Sequence, residues 1–187
     1  VYFKNLKNTD QNTNNPYLPT LEAISKRINA RGIFENKKVP EEVRKLITNL
    51  DKPDYLKIDL VENKEKIEIL AKLTARGLEI AYSNPFFRKE MSRWVNNSFS
   101  QKPSGIPGYS LRMPKLVSLV FPWLVRWFNI GKGVGILNYK SISSSPMITV
   151  ISSGENSPKV WLEIGRLAER IMLCCYSQGL KTSIFVA

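Results

Sequence analysis

Arg27 and Arg31 stand four residues apart with Asn29 between them, in the run Arg27-Ile-Asn-Ala-Arg31-Gly32. On a helix that spacing is one turn, so both guanidinium groups can face a single anionic ligand. Guanidinium gives permanently charged, bidentate contacts of the kind that suit phosphate. The plainer reading of the same residues is a pair of solvated cations at a helix end, favoured there by the C-terminal dipole. The rest of the side-chain inventory narrows the chemistry. The chain has no histidine, which removes the common general base, the Ser-His-Asp arrangement and most zinc sites. Cys174 and Cys175 are adjacent, and neighbours on a helix point about 100° apart, too far round to bridge each other. They read as small core residues in a reducing, cytoplasmic compartment, and Trp161 and Met172 read as core packing beside them. No catalytic side chain and no metal set is assigned. Any reaction must come from other groups or from a borrowed cofactor.

The formal charge of +12 favours anionic partners by long-range attraction: nucleic acid, an acidic membrane surface or a phosphorylated cofactor. The cations are spread along the chain without a run of five or more, which fits a solvated basic surface and argues against a nucleic-acid arm. A length of 187 residues with 43% apolar and 24% charged content fits one domain with its own core. The polar, Asn-rich start has no signal-peptide pattern. The segment 116–130 is strongly apolar but too short to span a bilayer, and Pro122 and Arg126 interrupt it. Trp123, Trp127 and Phe128 are residue types found in interfacial helices. With one arginine and little other polar character, however, the segment makes a poor membrane-facing moment and reads better as a buried cover or a dimer interface.

The elements that must position these residues follow from spacing. Residues 1–19 read as a flexible lead-in or linker. Thr20 caps a helix with Leu21, Ile24 and Ile28 on one face, ending near Gly32. Pro40-Glu41-Glu42 opens a second helix carrying Val43, Leu46, Ile47 and Leu50. The stretch 55–61 alternates as a half-buried strand, and Asn63 caps a longer helix striped by Ile67, Leu70, Ala71, Thr74, Leu78 and Ala81. A short helix after Pro85, a loop over 101–114 and a glycine-rich connector over 131–135 follow. That connector lacks the third glycine and the preceding strand of a dinucleotide fingerprint. A short strand over 147–151 precedes a helix started by Ser157-Pro158, with Trp161, Ile164, Gly165, Ala168, Ile171, Met172 and Cys175 on one face and Gly179 at its end. A last strand is predicted over 182–186. The class is α+β with a small sheet.

Five stretches in order carry a resemblance to a family. The Arg27–Pro40 run is similar to the opening Arg-x-Ser/Asn-x-Arg turn of the nitroreductase superfamily of FMN-binding flavoproteins, and the segment from Trp161 through Gly179-Leu180 is similar to its late central helix. Between them, Phe87-Arg-Lys-Glu-Met-Ser-Arg-Trp94, Ser104-Gly-Ile-Pro-Gly108-Tyr and Ser145-Pro-Met-Ile-Thr-Val150 resemble the Acg-like branch.

The resemblance covers about 21–187 and implies a nitroreductase-like domain over 20–187. Its fold would be a central mixed or antiparallel sheet flanked by helices, in an intertwined homodimer. It implies FMN as cofactor, with Arg27 toward the phosphate or ribityl end, Asn29 on a ribityl or ring polar group, and Arg31 at the pyrimidine edge. Main chain near Phe185 and Val186 would lie against the hydride-accepting nitrogen. NAD(P)H would supply electrons for a nitro-aromatic, quinone or similar acceptor. Residues 101–138 would form a lid, which in Acg-like members closes the flavin face and suggests a silent FMN-binding or storage protein instead. The family's C-terminal tail, with further basic residues for phosphate, is missing after Ala187. Fusion to a ThiF-like adenylating domain, with this chain as a non-flavin regulatory part, is the remaining alternative. No nucleic-acid partner and no membrane span is expected.

Overall fold

Leu56, Ile58 and Leu60 turn inward along one strand while Lys57 and Asp59 face solvent, and this alternation builds β1 (Leu56–Val61). β1 pairs antiparallel with β4 (Ile148–Ser153) from Leu56–Ser153 to Val61–Ile148. The computed structural model describes residues 21–30, 32–102, 104–108 and 114–185. The lead-in 1–19, Arg31 and Val186 lie outside the described residues. The helices are α1 (Leu21–Lys26), α2 (Glu41–Thr48), α3 (Lys64–Ser83), α4 (Pro85–Trp94), α5 (Lys115–Trp127), α6 (Gly131–Ser143) and α7 (Pro158–Ser177). Two-residue strands β2 (Val95–Asn96) and β3 (Ile106–Pro107) pair in parallel. The class is α+β.

The core forms where α2 and α7 close on the β1–β4 ribbon. Val43 and Ile47 from α2, Leu56 from β1, and Val160, Leu167, Ile171 and Cys175 from α7 are buried together, with Val39 beside them. A two-stranded ribbon alone is marginal in water, so these apolar helix faces stabilise it. The caps of α3 and α7 are the expected ones: Asn63 accepts from the Lys66 N–H at 3.0 Å, and Ser157 accepts from the Val160 N–H at 3.4 Å.

The glycine-rich stretch 131–135 is not a connector. It is the first turn of α6, lying antiparallel along α3. A Cβ on Gly131 would come within 2.8 Å of the Tyr82 Cβ, and one on Gly135 within 3.0 Å of the Ala75 carbonyl. Two glycines four apart present one bare helix face, and the helix-forming cost of glycine is offset by close backbone approach. Further along the same seam, the Tyr139 hydroxyl donates to Glu68 at 2.5 Å. That bond is the main reason the Glu68 carboxyl is held below, and the Tyr139 hydroxyl above, its usual range.

Three other expectations are corrected. α1 stops at Lys26, buries Ala23, and leaves Ile24 and Ile28 exposed. Beyond it the backbone pairs with the chain's other end: Asn29 forms a parallel bridge with Thr182, and the Ala30 N–H donates to the Thr182 carbonyl at 2.8 Å. Through Phe185 the stretch expected as a last strand holds this isolated bridge rather than a ladder. On α7 the buried stripe is rotated toward Val160 and Leu167, so Trp161 is 60% exposed and its indole N–H donates to Asn156 at 2.8 Å. Met172, Cys174 and Cys175 are buried as expected, the thiols unbridged.

Candidate functional site

The Arg27–Asn29 turn and the segment 182–185 come together although about 150 residues of chain separate them. Two sets of bonds fix the turn. On one side, the Asn29 side-chain oxygen accepts from the Ile184 N–H at 2.9 Å, in addition to the Thr182 bridge. On the other, the end of α6 reaches up with two serines: Ser141 donates to the Gly32 carbonyl, and the Ser144 hydroxyl accepts from the Phe34 N–H at 2.9 Å.

Arg27 lies just past the end of α1, and Arg31 lies outside the described residues. The Arg27 Nε donates to Glu169 of α7 at 2.8 Å, with the arginine side chain 24% exposed. Its charge is therefore matched in part by a carboxylate. Nothing in the sequence signals Glu169 as a partner, because the two residues are 142 positions apart. Asn29 spends its oxygen on Ile184 and keeps an amide NH2 to donate. Phe185 is half-buried, Val186 lies outside the described residues, and the Ser183 hydroxyl is buried without a hydrogen-bond partner. Beside the turn, Glu35 pairs with Lys37 at 2.6 Å. That bond, with a smaller contribution from Lys181, holds the Glu35 carboxyl below its usual range.

Two clefts among the described residues lie elsewhere. The larger, about 310 Å³, is lined by Glu90, Arg93, Trp94, Asn96, Lys102 and residues 104–105, at the end of α4. The smaller, about 30 Å³, sits where Arg166 and Arg170 of α7 meet residues 51–53. Both arginines are engaged there, Arg166 with Glu163 at 2.9 Å and Arg170 with the Asp51 carbonyl at 2.5 Å. Among the described residues, no cluster of three or more metal-ligating side chains is present and no helix is long and apolar enough to cross a membrane.

The segment expected as a lid, 101–138, contains β3, α5 and the first half of α6. The boundary at 138 therefore falls inside a helix, and α5 packs chiefly on α4. No protein-family model, no curated protein and no solved structure matches the chain.

Proposed function

We propose that the chain is a nitroreductase-like flavoprotein that binds FMN at the meeting of the Arg27–Asn29 turn with residues 182–185. The observation that carries this reading is the Asn29–Thr182 bridge. It joins the early arginine turn to the segment after the late helix, two parts that the resemblance requires in one site.

The donors present suit the ribityl and ring end of FMN. The Asn29 amide and the Arg27 guanidinium can bond neutral carbonyls and hydroxyls, and a guanidinium favours a ring that becomes anionic on reduction. Arg27 is less suited to the phosphate than the sequence suggests, because Glu169 stands 2.8 Å from its Nε and repels a dianion. Phosphate binding falls instead to Arg31, to basic residues of the family's tail, or to a second copy. α3 leaves Ile69, Leu73 and Ile80 exposed at positions that share one side of the helix, an apolar stripe suited to a homodimer.

FMN, when bound, supplies the redox chemistry, taking hydride from NAD(P)H and passing electrons to a nitro-aromatic, quinone or similar acceptor. The chain's own residues bind and orient. Arg27 and Asn29 position the ligand edge, and main chain at 182–185 forms the wall beside it.

The purified protein is expected to be yellow and to release FMN. Arg27→Ala is expected to lower flavin occupancy about tenfold, the loss of one charge-assisted hydrogen bond, with unchanged far-UV circular dichroism. A colourless protein that also refuses added FMN would sink the reading. Steady NAD(P)H oxidation by the yellow protein distinguishes an oxidoreductase from a silent FMN store.

A further inference from the structure

α5 buries one side and leaves an apolar side bare. Ser118 and Val125 are buried as the helix packs against α4. On the opposite side Leu116, Val120, Trp123 and Trp127 recur at spacings of three and four and so form one stripe. Leu116 is 77% exposed, Trp123 57% and Trp127 61%. A contiguous exposed apolar patch of this kind marks an interaction surface.

The charge around α5 identifies the partner. Residues 80–154 contain nine lysines and arginines against one acid, Glu90, a surplus of eight out of the whole chain's +12. Lys89, Arg93, Lys102, Lys115, Arg126 and Lys132 are all exposed on or next to α4, α5 and α6. Arg126 lies 5.5 Å from the centre of the exposed Trp127 ring, so a cation borders the apolar stripe directly.

We propose that this face docks on an anionic lipid bilayer. α5 would lie in the interfacial plane, with its tryptophans at the headgroup–acyl boundary and the surrounding cations on acidic headgroups. Its 13 residues extend only about 20 Å, short of the roughly 30 Å hydrocarbon core, so the helix lies along the surface. Tryptophan favours that depth, and clustered lysine and arginine favour acidic lipid. The isolated helix has a weak polar face because its inner side is covered by α4 rather than by water, and the cations come from neighbouring elements. A symmetric second copy fits this face less well, because a twofold interface would set the two basic surfaces against each other. A nucleic-acid duplex would satisfy the cations through its phosphates but leave the tryptophans in water.

The test is co-sedimentation of the full chain with vesicles of phosphatidylcholine alone or mixed with phosphatidylserine. The chain is expected to pellet with the mixed vesicles, to release with salt, and to shift its tryptophan emission to the blue. Trp123→Gln with Trp127→Gln is expected to lower partitioning at least about tenfold by removing the buried apolar area. Arg126→Gln is expected to lower it about fivefold. Both variants change exposed side chains, and circular dichroism checks that each remains folded. No partitioning of the parent chain, or partitioning indifferent to the tryptophan pair, overturns the proposal. So does light scattering that shows a dimer dissolved by the tryptophan substitutions while vesicles leave the parent in the supernatant, since the face would then belong to a second copy.

Discussion

α7 starts on a proline and α5 follows one, and both carry aliphatic, aromatic and small side chains around much of their circumference, yet one lies at the centre of the core and the other holds its apolar side in solvent. Their charges account for the difference. α7 interleaves Lys159, Glu163, Arg166, Glu169 and Arg170, which cover its outward side and tie it to Arg27 and Asp51, while α5 has only Lys115 and Arg126. Their ends differ as well. Ser157 caps α7, and Gly179 at φ 72° closes it while the Leu180 N–H reaches back to the Cys175 carbonyl at 2.9 Å. α5 follows Pro114 and has no side-chain cap. Apolar content therefore does not say which helix will be central. What decides is whether polar residues close the far side and whether the ends are satisfied within the chain.

The sharpest way to break this contrast is to cut into the buried stripe of α7. Ile171→Ala removes a side chain packed among Val43, Ile47 and Leu167 and is expected to cost about 2–5 kcal/mol, read as a lowered urea midpoint. A cost below about 1 kcal/mol would mean that α7 is not the central helix.

Alkaline pH probes the same stripe more gently. Burial, and after it the neighbouring Cys174, pushes the Cys175 thiol up from its ordinary value of 9.0 to about 11, and burial also raises Cys174. Between those values the folded chain holds protons that the unfolded chain has released. This stabilisation is complete below about pH 9 and is lost as pH rises through about 11. The expected loss is on the order of 1–3 kcal/mol, and Cys174→Ala with Cys175→Ala should flatten it. Urea midpoints measured across that window would show the slope, and a midpoint that rises with pH would contradict the burial of both thiols.

The smallest effect is expected on α5. Trp127→Gln should change stability by less than about 0.5 kcal/mol, because the ring already stands in solvent. A loss of several kcal/mol from the isolated chain would place Trp127 in a core and erase the contrast with α7.

Much of the frame was legible in local chemistry. The alternation of β1, the Asn63 and Ser157 caps and the Gly179 stop depend on residues within a turn of one another, and the structure keeps them. What was not legible depends on partners far along the chain. The length of α1 is set by Thr182, the state of Arg27 by Glu169, and the conformation of the Gly131–Gly135 stretch by the α3 backbone. Periodicity also placed the α7 stripe too near Trp161, because a large aromatic can stand exposed when its N–H finds Asn156. Of the candidate site, Arg27 and Asn29 stand past the end of α1, with Asn29 against Thr182 and Ile184, while Arg31 lies outside the described residues. The acidic partner in α7 carried no sequence signal.

The bare seam between α3 and α6 also works as a gauge. Where backbones lie this close, a helix cannot slide along its neighbour without driving a side chain into it, so the two rods keep one register. At one end of α6 that register is fixed by Gly131 against Tyr82, and at the other Ser141 and Ser144 hold Gly32 and Phe34. Two absent methyl groups thus set the height at which the arginine turn is presented, from a distance of three helical turns and with no direct contact to it.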